Sequence, residues 1–157
     1  MRIEENTHIN MAVKVAHNGI EIDGTLYPLY GGAVHYWRHE RKHWALILDR
    51  VVEMGFKFVE TYAPWSVHET AEGVFDFGEE DTRKDLAAFL ALCREKGLFV
   101  MLRPGPHINS ELTYFGFPER LFERKELLAR TAEGAPAIVS VPPRFFPAPS
   151  YASPEFY

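Results

Sequence analysis

The sequence has few of the features that would place it outside ordinary globular proteins. It contains one cysteine, Cys93, so no disulfide can form within the chain, and its apolar neighbours predict an inert buried thiol. Its 17 Lys and Arg residues are outnumbered by 22 Asp and Glu residues, which argues against a nucleic-acid or anionic-membrane surface. No apolar run could span a bilayer, and the polar N-terminus lacks the apolar core of a signal peptide. We therefore expect a globular protein in a reducing, cytoplasmic setting.

Turn signals dominate the first part of the chain. Asn18-Gly19 and Asp23-Gly24 are dipeptides of tight hairpin turns, and they predict a small antiparallel hairpin within residues 12–30. A buried strand is expected to follow near residues 29–36.

Two helix patterns then alternate with two short apolar runs. Residues 44–52 carry apolar side chains at helical spacing, and a second helix is expected to be capped by Asp81 or Thr82. The runs 56–61 and 98–103 are typical of strands, the second of them buried on both faces. The order of strand, helix, strand, helix, strand predicts a parallel sheet with crossover helices.

The last part of the chain is less regular. A short helix is expected around residues 119–129, and residues 134–157 contain six prolines, which exclude a continuing helix or a central strand. Residues 137–141, "AIVSV", form the only strand-like piece there.

Polar and aromatic side chains collect where the three predicted strands end. In parallel α/β folds, ligands bind at the carboxyl ends of the strands. Aromatic faces that pack on a sugar ring, together with amides and carboxylates that bond its hydroxyls, would suit a carbohydrate site. These ends carry His35, Tyr36, Trp37 and Arg38; Glu60, Tyr62, Trp65, His68 and Glu69; and Arg103, His107, Asn109 and Glu111.

Several of these acids also have a plain structural interpretation. Glu60 could be the ion-pair partner of an arginine such as Arg38 or Arg103, because structural ion pairs are common in such places. Glu69 and Glu72 lie in a polar loop, where we expect them to be solvated.

A different chemistry is suggested by residues 39–43, "HERKH", which match the zinc peptidase pattern H-E-x-x-H. That site needs both histidines on one face of a helix. Here the intervening residues, Arg41 and Lys42, are both cations, which oppose the binding of another cation. The apolar face of the helix also begins beyond His43, so we interpret the match as an accident.

Three blocks of sequence together resemble the β-galactosidases of glycoside hydrolase family 35. They are "GGAVHYWR" at 31–38, "VETYAPWSVHE" at 59–69 and "LFVMLRPGPHINSELTYFGFPERL" at 98–121. The resemblance extends over roughly residues 20–122, most of the chain.

The resemblance implies a (β/α)8 barrel that hydrolyses terminal β-linked galactose with retention. That mechanism uses two glutamates, which the family takes from its fourth and seventh strands. Both are expected beyond residue 157, so the chain alone is predicted to have no catalytic residue and no activity. Tyr62, Asn109, Ser110 and Glu111 match the galactose-binding positions, and no metal or cofactor is implied.

On this interpretation residues 1–157 are an incomplete catalytic domain of the α/β class. Residues 1–28 form an N-terminal hairpin region, 29–130 the first three βα units and 131–157 a Pro-rich irregular segment. The expected partner is a galactose-containing oligosaccharide or glycoside, not nucleic acid or membrane, and the remainder of the barrel is needed for stability. The alternative is a non-catalytic carbohydrate-binding or interaction module.

The zinc hypothesis has a direct test. A zinc peptidase predicts stoichiometric zinc in the purified chain, whereas the sugar-site interpretation predicts none. Metal analysis of the purified protein decides between them, and bound zinc that His43→Gln removes would restore the peptidase hypothesis.

Overall fold

A computed structural model describes residues 12–109, 112–141 and 144–154. Four small sheets and three helices form the regular structure of these ranges. None of the helices in them has the length and apolar character needed to cross a membrane. The strands are β1 Val13–Ala16, β2 Gly19–Ile22, β3 Thr25–Tyr27, β4 Gly31–Ala33, β5 Phe58–Ala63, β6 Glu69–Ala71, β7 Val74–Phe75, β8 Phe99–Pro104, β9 Ile138–Val141 and β10 Arg144–Pro147, and the helices are α1 Arg41–Glu53, α2 Trp65–His68 and α3 Leu86–Glu95.

The N-terminal sheet is a three-stranded antiparallel meander, one strand more than the expected hairpin. Its second turn is formed by Asp23 and Gly24, whose φ angles of 50° and 79° suit the twist of a two-residue hairpin loop. Gly19 is required for a different reason: a Cβ atom there would lie 2.1 Å from the carbonyl oxygen of Tyr27. The close packing of β2 on β3 therefore depends on this glycine.

The central sheet is parallel, in the order β4-β5-β8. Its register places Gly31 opposite Phe58 and Phe58 opposite Phe99. The ring of Tyr27 packs edge-on against both phenylalanines, at centroid distances of 6.4 and 5.1 Å. The meander thus covers the amino-terminal end of the sheet and leaves the carboxyl-terminal end open. Three parallel strands with intervening helices confirm the mixed α/β class, whereas closure into a barrel stays a prediction.

The main core lies between the sheet and the two longer helices. Side chains on one face of β5 meet α1 and α3, because residues alternate between the two faces along a strand. Val59, Trp44, Leu48, Phe89 and Cys93 are each at most 1% exposed in this cluster. Burial raises the pKa of the Cys93 thiol to about 11, so the thiol is protonated and unreactive at neutral pH, as expected.

The cap of α3 differs from the expected one. Asp85, not Asp81 or Thr82, is the N-cap residue, and its carboxylate accepts a hydrogen bond of 2.8 Å from the amide of Ala88. Asp81 caps a separate 3-10 turn at Thr82–Lys84. Two acids at four-residue spacing both satisfy the capping pattern, and the sequence alone does not distinguish them.

Two strand expectations also need correction. The first parallel strand is only three residues long, and Leu29 and Tyr30, which were expected within it, are 55% and 71% exposed. The run 98–103 was expected to be buried on both faces. Within the described ranges β8 pairs only with β5, so it is an edge strand, and Leu102 is 39% exposed.

The segments beyond the central sheet hold structure that the sequence pattern did not indicate. A helical turn, α2, and the hairpin of β6 and β7 occupy the aromatic loop after β5. Two 3-10 turns, Glu119–Phe122 and Lys125–Leu127, replace the helix expected at residues 119–129. In the Pro-rich segment β9 is the expected strand, and it pairs antiparallel with β10, which ends at Pro147.

The core makes a testable prediction at Phe89, which is fully buried against Trp44 and Tyr36. Truncation in Phe89→Ala should lower the free energy of unfolding by about 3–5 kcal/mol, because it removes apolar contacts and leaves a cavity. Leu46→Ala, at a 57% exposed position on α1, is the control and should change it by about 0.5 kcal/mol or less. Urea denaturation followed by tryptophan fluorescence measures both, and equal effects would contradict this account of the core.

Candidate functional site

The open end of the central sheet places three polar side chains on one face. Glu60 and Tyr62 project from the same face of β5, and the register puts Tyr62 beside Arg103 of β8. Nη1 of Arg103 donates hydrogen bonds of 3.0 Å to Oε1 of Glu60 and 2.9 Å to the Tyr62 hydroxyl. The guanidinium also lies 4.7 Å from the centre of the Tyr62 ring. Of the two arginines that the sequence suggested as ion-pair partners of Glu60, Arg103 is observed in that role.

This arrangement defines what the Tyr62 hydroxyl can do. A phenol has one hydrogen to donate and lone pairs that accept. Because the oxygen already accepts from Arg103, its hydrogen can be donated to a ligand oxygen. The site therefore presents an oriented donor at the carboxyl end of the sheet.

Aromatic rings from the segment after β4 extend this surface. The ring of His35 lies 4.9 Å from that of Tyr62 and stacks on Trp37 at 5.5 Å. The guanidinium of Arg38 in turn lies 4.6 Å from the Trp37 ring. Burial, then the charge of Arg38, lowers the pKa of His35, which keeps the imidazole neutral near pH 7.

Trp37 carries an unusual hydrogen-bond donor. Its Nε1 is buried and has no hydrogen-bond partner among the residues that the structure describes. Buried donors are nearly always bonded in folded proteins. The sequence placed Trp37 among the strand-end residues, but it did not predict that the indole nitrogen would be buried without a described partner.

The loop after β8 carries the remaining predicted sugar contacts. The amide of Gly105 donates to the carbonyl of Ala63 at 3.2 Å, which ties the loop to the end of β5. Ile108 is buried, and its amide donates to Phe115 at 2.7 Å, while Asn109 is exposed. Ser110 and Glu111 lie outside the described residues, so their contacts, like the sugar-binding role of Tyr62 and Asn109, stay predictions.

A chain of buried polar groups lies on the helix side of the site. The Tyr36 hydroxyl donates to Nε2 of His68 at 2.5 Å, and Nδ1–H of His68 donates to the carbonyl of Asp76 at 2.9 Å. The ring of Phe77 stacks on His68 at 4.3 Å. Burial is the main cause that lowers the pKa of His68, and the nearby charge of Lys84 acts in the same direction. These hydrogen bonds connect the segment after β4 to the loop between β7 and α3.

The carboxylate of Asp76 organises that loop. It accepts hydrogen bonds from the amides of Gly78, Glu80 and Asp81, at 2.9 to 3.1 Å, and lies 3.4 Å from Nζ of Lys84. Burial alone would raise the pKa of Asp76, but these bonds outweigh it and hold the pKa well below its usual value.

Glu69 corrects an expectation. It was expected to be solvated, yet its side chain is 3% exposed and forms an ion pair with Arg120 at 2.7 Å. Glu72, grouped with it in the sequence, is 68% exposed and lies 3.2 Å from the same arginine. The sequence did not distinguish the two because Arg120 is more than forty residues away along the chain.

Two clefts adjoin these loops. One, of about 710 Å³, separates residues 66–72 from residues 112–120. The other, of about 570 Å³, is largely apolar and is lined by Ala63, Pro64, Trp65, His68, Phe75, Phe77, Pro104, Gly105, Pro106 and Tyr151. Ala63 and Pro104 alternate with Tyr62 and Arg103, so this second cleft lies on the opposite face of the sheet from the polar site.

The H-E-x-x-H match does not lie on one helix. His39 follows a 3-10 turn, Glu40 is the N-cap residue of α1, and only His43 lies within the helix. In the described ranges, no group of three or more His, Cys, Asp or Glu side chains is placed to hold a metal ion.

Comparison with known proteins finds a family and several relatives that the sequence resembles. The family described as "Glycosyl hydrolases family 35" matches residues 19–135. The chain is 38% identical, over 90% of its length, to an exo-beta-D-glucosaminidase of Pyrococcus horikoshii. It is 40% identical to human beta-galactosidase-1-like protein 3 over 70% of its length, and 37% identical to human beta-galactosidase over 71%. The chain spans only 19%, 16% and 16% of these three relatives.

The buried histidine predicts a dependence of stability on pH. Because the pKa of His68 is lowered by folding, the unfolded chain binds more protons once the pH falls through about 6.5, the usual histidine value. The free energy of unfolding should therefore decrease from about pH 7.5 to about pH 5.5. Thermal melts across this range should show a smaller decrease for His68→Gln than for the unmodified chain. His43→Gln, at an exposed position on α1, should keep the unmodified slope, and equal slopes in all three proteins would contradict the assignment.

Proposed function

Because the chain belongs to glycosyl hydrolases family 35, we propose that it is part of a glycoside hydrolase that removes terminal β-linked galactose with retention. The family match extends over residues 19–135, and it includes every element of the central sheet and both longer helices. This match is the observation that carries the proposal. Human β-galactosidase is among the relatives that support galactose as the sugar.

The proposed architecture is the N-terminal portion of a (β/α)8 barrel, with residues 1–28 as an N-terminal extension, 29–130 as three βα units and 131–157 as a Pro-rich segment. Two features support it. The strands β4, β5 and β8 are parallel and are separated in sequence by α1 and α3. On the face of the sheet away from the helices, Ala33, Glu60 and Met101 are in register across the three strands, and Tyr62 is beside Arg103 further along. A barrel interior is likewise lined by the side chains on one face of its parallel strands.

In the proposed site, the Tyr62 hydroxyl and the loop residues Asn109, Ser110 and Glu111 bond the hydroxyl groups of galactose. Arg103 supports this role for Tyr62. It donates a hydrogen bond to the Tyr62 oxygen, so the hydroxyl hydrogen is left to point outward. Retaining glycosidases then need two carboxylates about 5 Å apart, one as nucleophile and one as general acid and base. We propose that both come from outside residues 1–157, so that this chain binds and orients the sugar and does not cleave it.

A second candidate substrate is a β-linked glucosamine. The Pyrococcus exo-β-D-glucosaminidase matches 90% of the chain, whereas the two human relatives match about 70%, so its similarity extends further along the sequence. Glucosamine carries a cationic amine, for which a carboxylate is the natural partner. Glu111, in the predicted sugar loop, would be the residue to bind it.

Assay of the chain alone tests the assignment of catalysis. Chromogenic β-galactoside and β-glucosaminide should both remain uncleaved, because neither catalytic glutamate is expected in this chain. Glu111→Gln is the matched control. Turnover by the unmodified chain well above that of Glu111→Gln would overturn the proposal and make Glu111 a catalytic residue.

Calorimetry with galactose and with glucosamine tests the binding role and chooses between the two sugars. Tyr62→Phe should weaken the binding of the preferred sugar by about two- to tenfold, the range expected for the loss of one hydrogen bond. Tyr30→Phe, at a 71% exposed position before β4, should leave the affinity unchanged. A cooperative melt of the chain alone would favour a self-sufficient binding module, because a barrel fragment is expected to need the remainder of the barrel for stability. Failure of the unmodified chain to bind either sugar would contradict the proposed site.

A further inference from the structure

Among the ion pairs that join the two loops carrying the proposed sugar contacts, the pair of Arg120 with Glu69 has the least exposed carboxylate. Nη2 of Arg120 donates to Oε1 of Glu69 at 2.7 Å, and Nε donates to Oε2 at 3.2 Å. This two-point geometry fixes the angle between the side chains as well as their distance. Glu69 belongs to the segment after β5 and Arg120 to the segment after β8, so the pair bridges the cleft between the two loops.

The surroundings of Glu69 keep it ionised. Burial would raise its pKa, but the hydrogen bonds from Arg120 and from the Gly73 amide, at 2.9 Å, outweigh burial and lower the pKa. A carboxylate whose side chain is 3% exposed needs such partners, because an isolated buried charge is strongly unfavourable. The pair is therefore charged at neutral pH, and removing Arg120 would take from the Glu69 carboxylate its ion-pair partner, whereas Arg120 also pairs with Glu72.

Each side of the pair leads to a proposed sugar contact. On the β5 side, the guanidinium of Arg120 lies 5.7 Å from the ring of Trp65, which follows Tyr62 by three residues. On the β8 side, Arg120 lies in the 3-10 turn Glu119–Phe122. This turn contributes to a second apolar cluster, whose buried members are Phe117, Leu121 and Leu127. That cluster also includes Phe115, whose carbonyl accepts from the amide of Ile108. Ile108 directly precedes Asn109.

We propose that Arg120 is a positioning residue that, through Glu69, holds the loop bearing Asn109 in register with Tyr62. The inference rests on the proposed function, because Tyr62 and Asn109 need a fixed separation only if both bind the same sugar. Arginine is suited to this task since its planar fork meets both carboxylate oxygens at once, whereas lysine offers a single point of charge.

Hydrogen exchange on the chain itself tests the proposal without a ligand. The amides of Gly105 and Ile108 report on the loop after β8, since each donates one of the bonds that hold it. Glu69→Gln and the conservative Arg120→Lys should each speed exchange at these two amides at least tenfold. Exchange at the β5 amides, which report on opening of the whole sheet, should change less than twofold.

The matched control is Glu72→Gln, which removes an exposed carboxylate from the same arginine. It should leave exchange at Gly105 and Ile108 within twofold of the unmodified chain. Equal acceleration of the loop and β5 amides by Glu69→Gln would show that the pair only contributes to overall stability. No acceleration in the loop, or an equal effect of Glu72→Gln, would likewise overturn the proposal.

Measurements of sugar affinity distinguish a failure of the positioning role from a failure of the proposed sugar-binding function. If the unmodified chain binds galactose or glucosamine, Arg120→Lys should weaken that binding at least fivefold at a temperature where the variant remains folded. Unchanged affinity would refute the positioning role. If the unmodified chain binds neither sugar, the proposed function fails, while the exchange experiment still decides whether the pair fixes the loop.

Discussion

Parallel pairing of β5 with β8 is the constraint on which the rest of the site depends. Once Phe58 lies opposite Phe99, the period-two alternation of a strand leaves no freedom further along. Glu60 and Tyr62 must share a face with Arg103, and Val59 must face the helices. A shift of one residue would bury the charged groups in the aromatic core and expose the core to water. The hydrophobic contacts of Val59 therefore specify the polar site on the opposite face as firmly as any contact within it.

Beyond the strand ends, the geometry is maintained by buried polar contacts between loops. Tyr36, His68 and the Asp76 carbonyl connect the end of β4 to the loop before α3, and Glu69 with Arg120 connects the two loops that follow. Loops lack the repeating bonds of a sheet, so a few well-satisfied groups must fix them. Each of these polar side chains has its partners, which makes burial tolerable and leaves one arrangement preferred over others.

Local signals in the sequence predicted the framework. The Asp23-Gly24 turn, the helical spacing of residues 44–52 and the short apolar runs each depend on neighbours close in the chain, and each corresponds to an observed element. The pairing of Glu60 with an arginine was also foreseeable, because both follow strands expected to be adjacent.

The errors arise where distant residues decide the outcome. Glu69 looks like any loop acid until Arg120 is brought beside it. The exposure of Leu102 depends on which strands flank β8, a property of the sheet rather than of the run itself. The missed helical turn α2 and the hairpin after it lie in a loop where apolar, aromatic and turn residues are mixed without a period. The Trp37 donor was missed because its burial depends on how the segment after β4 folds back.

The distribution of tryptophan gives the molecule an optical property of its own. The chain has three tryptophans, and their rings have different neighbours. Trp44 is enclosed in the main core, Trp37 stacks beside His35 at the polar site, and Trp65 lies beneath the Arg120 guanidinium between the loops. Emission from the three indoles therefore reports on three different environments. Replacing two of them at a time with phenylalanine would yield separate fluorescent signals for unfolding of the core, occupation of the site and movement of the loops.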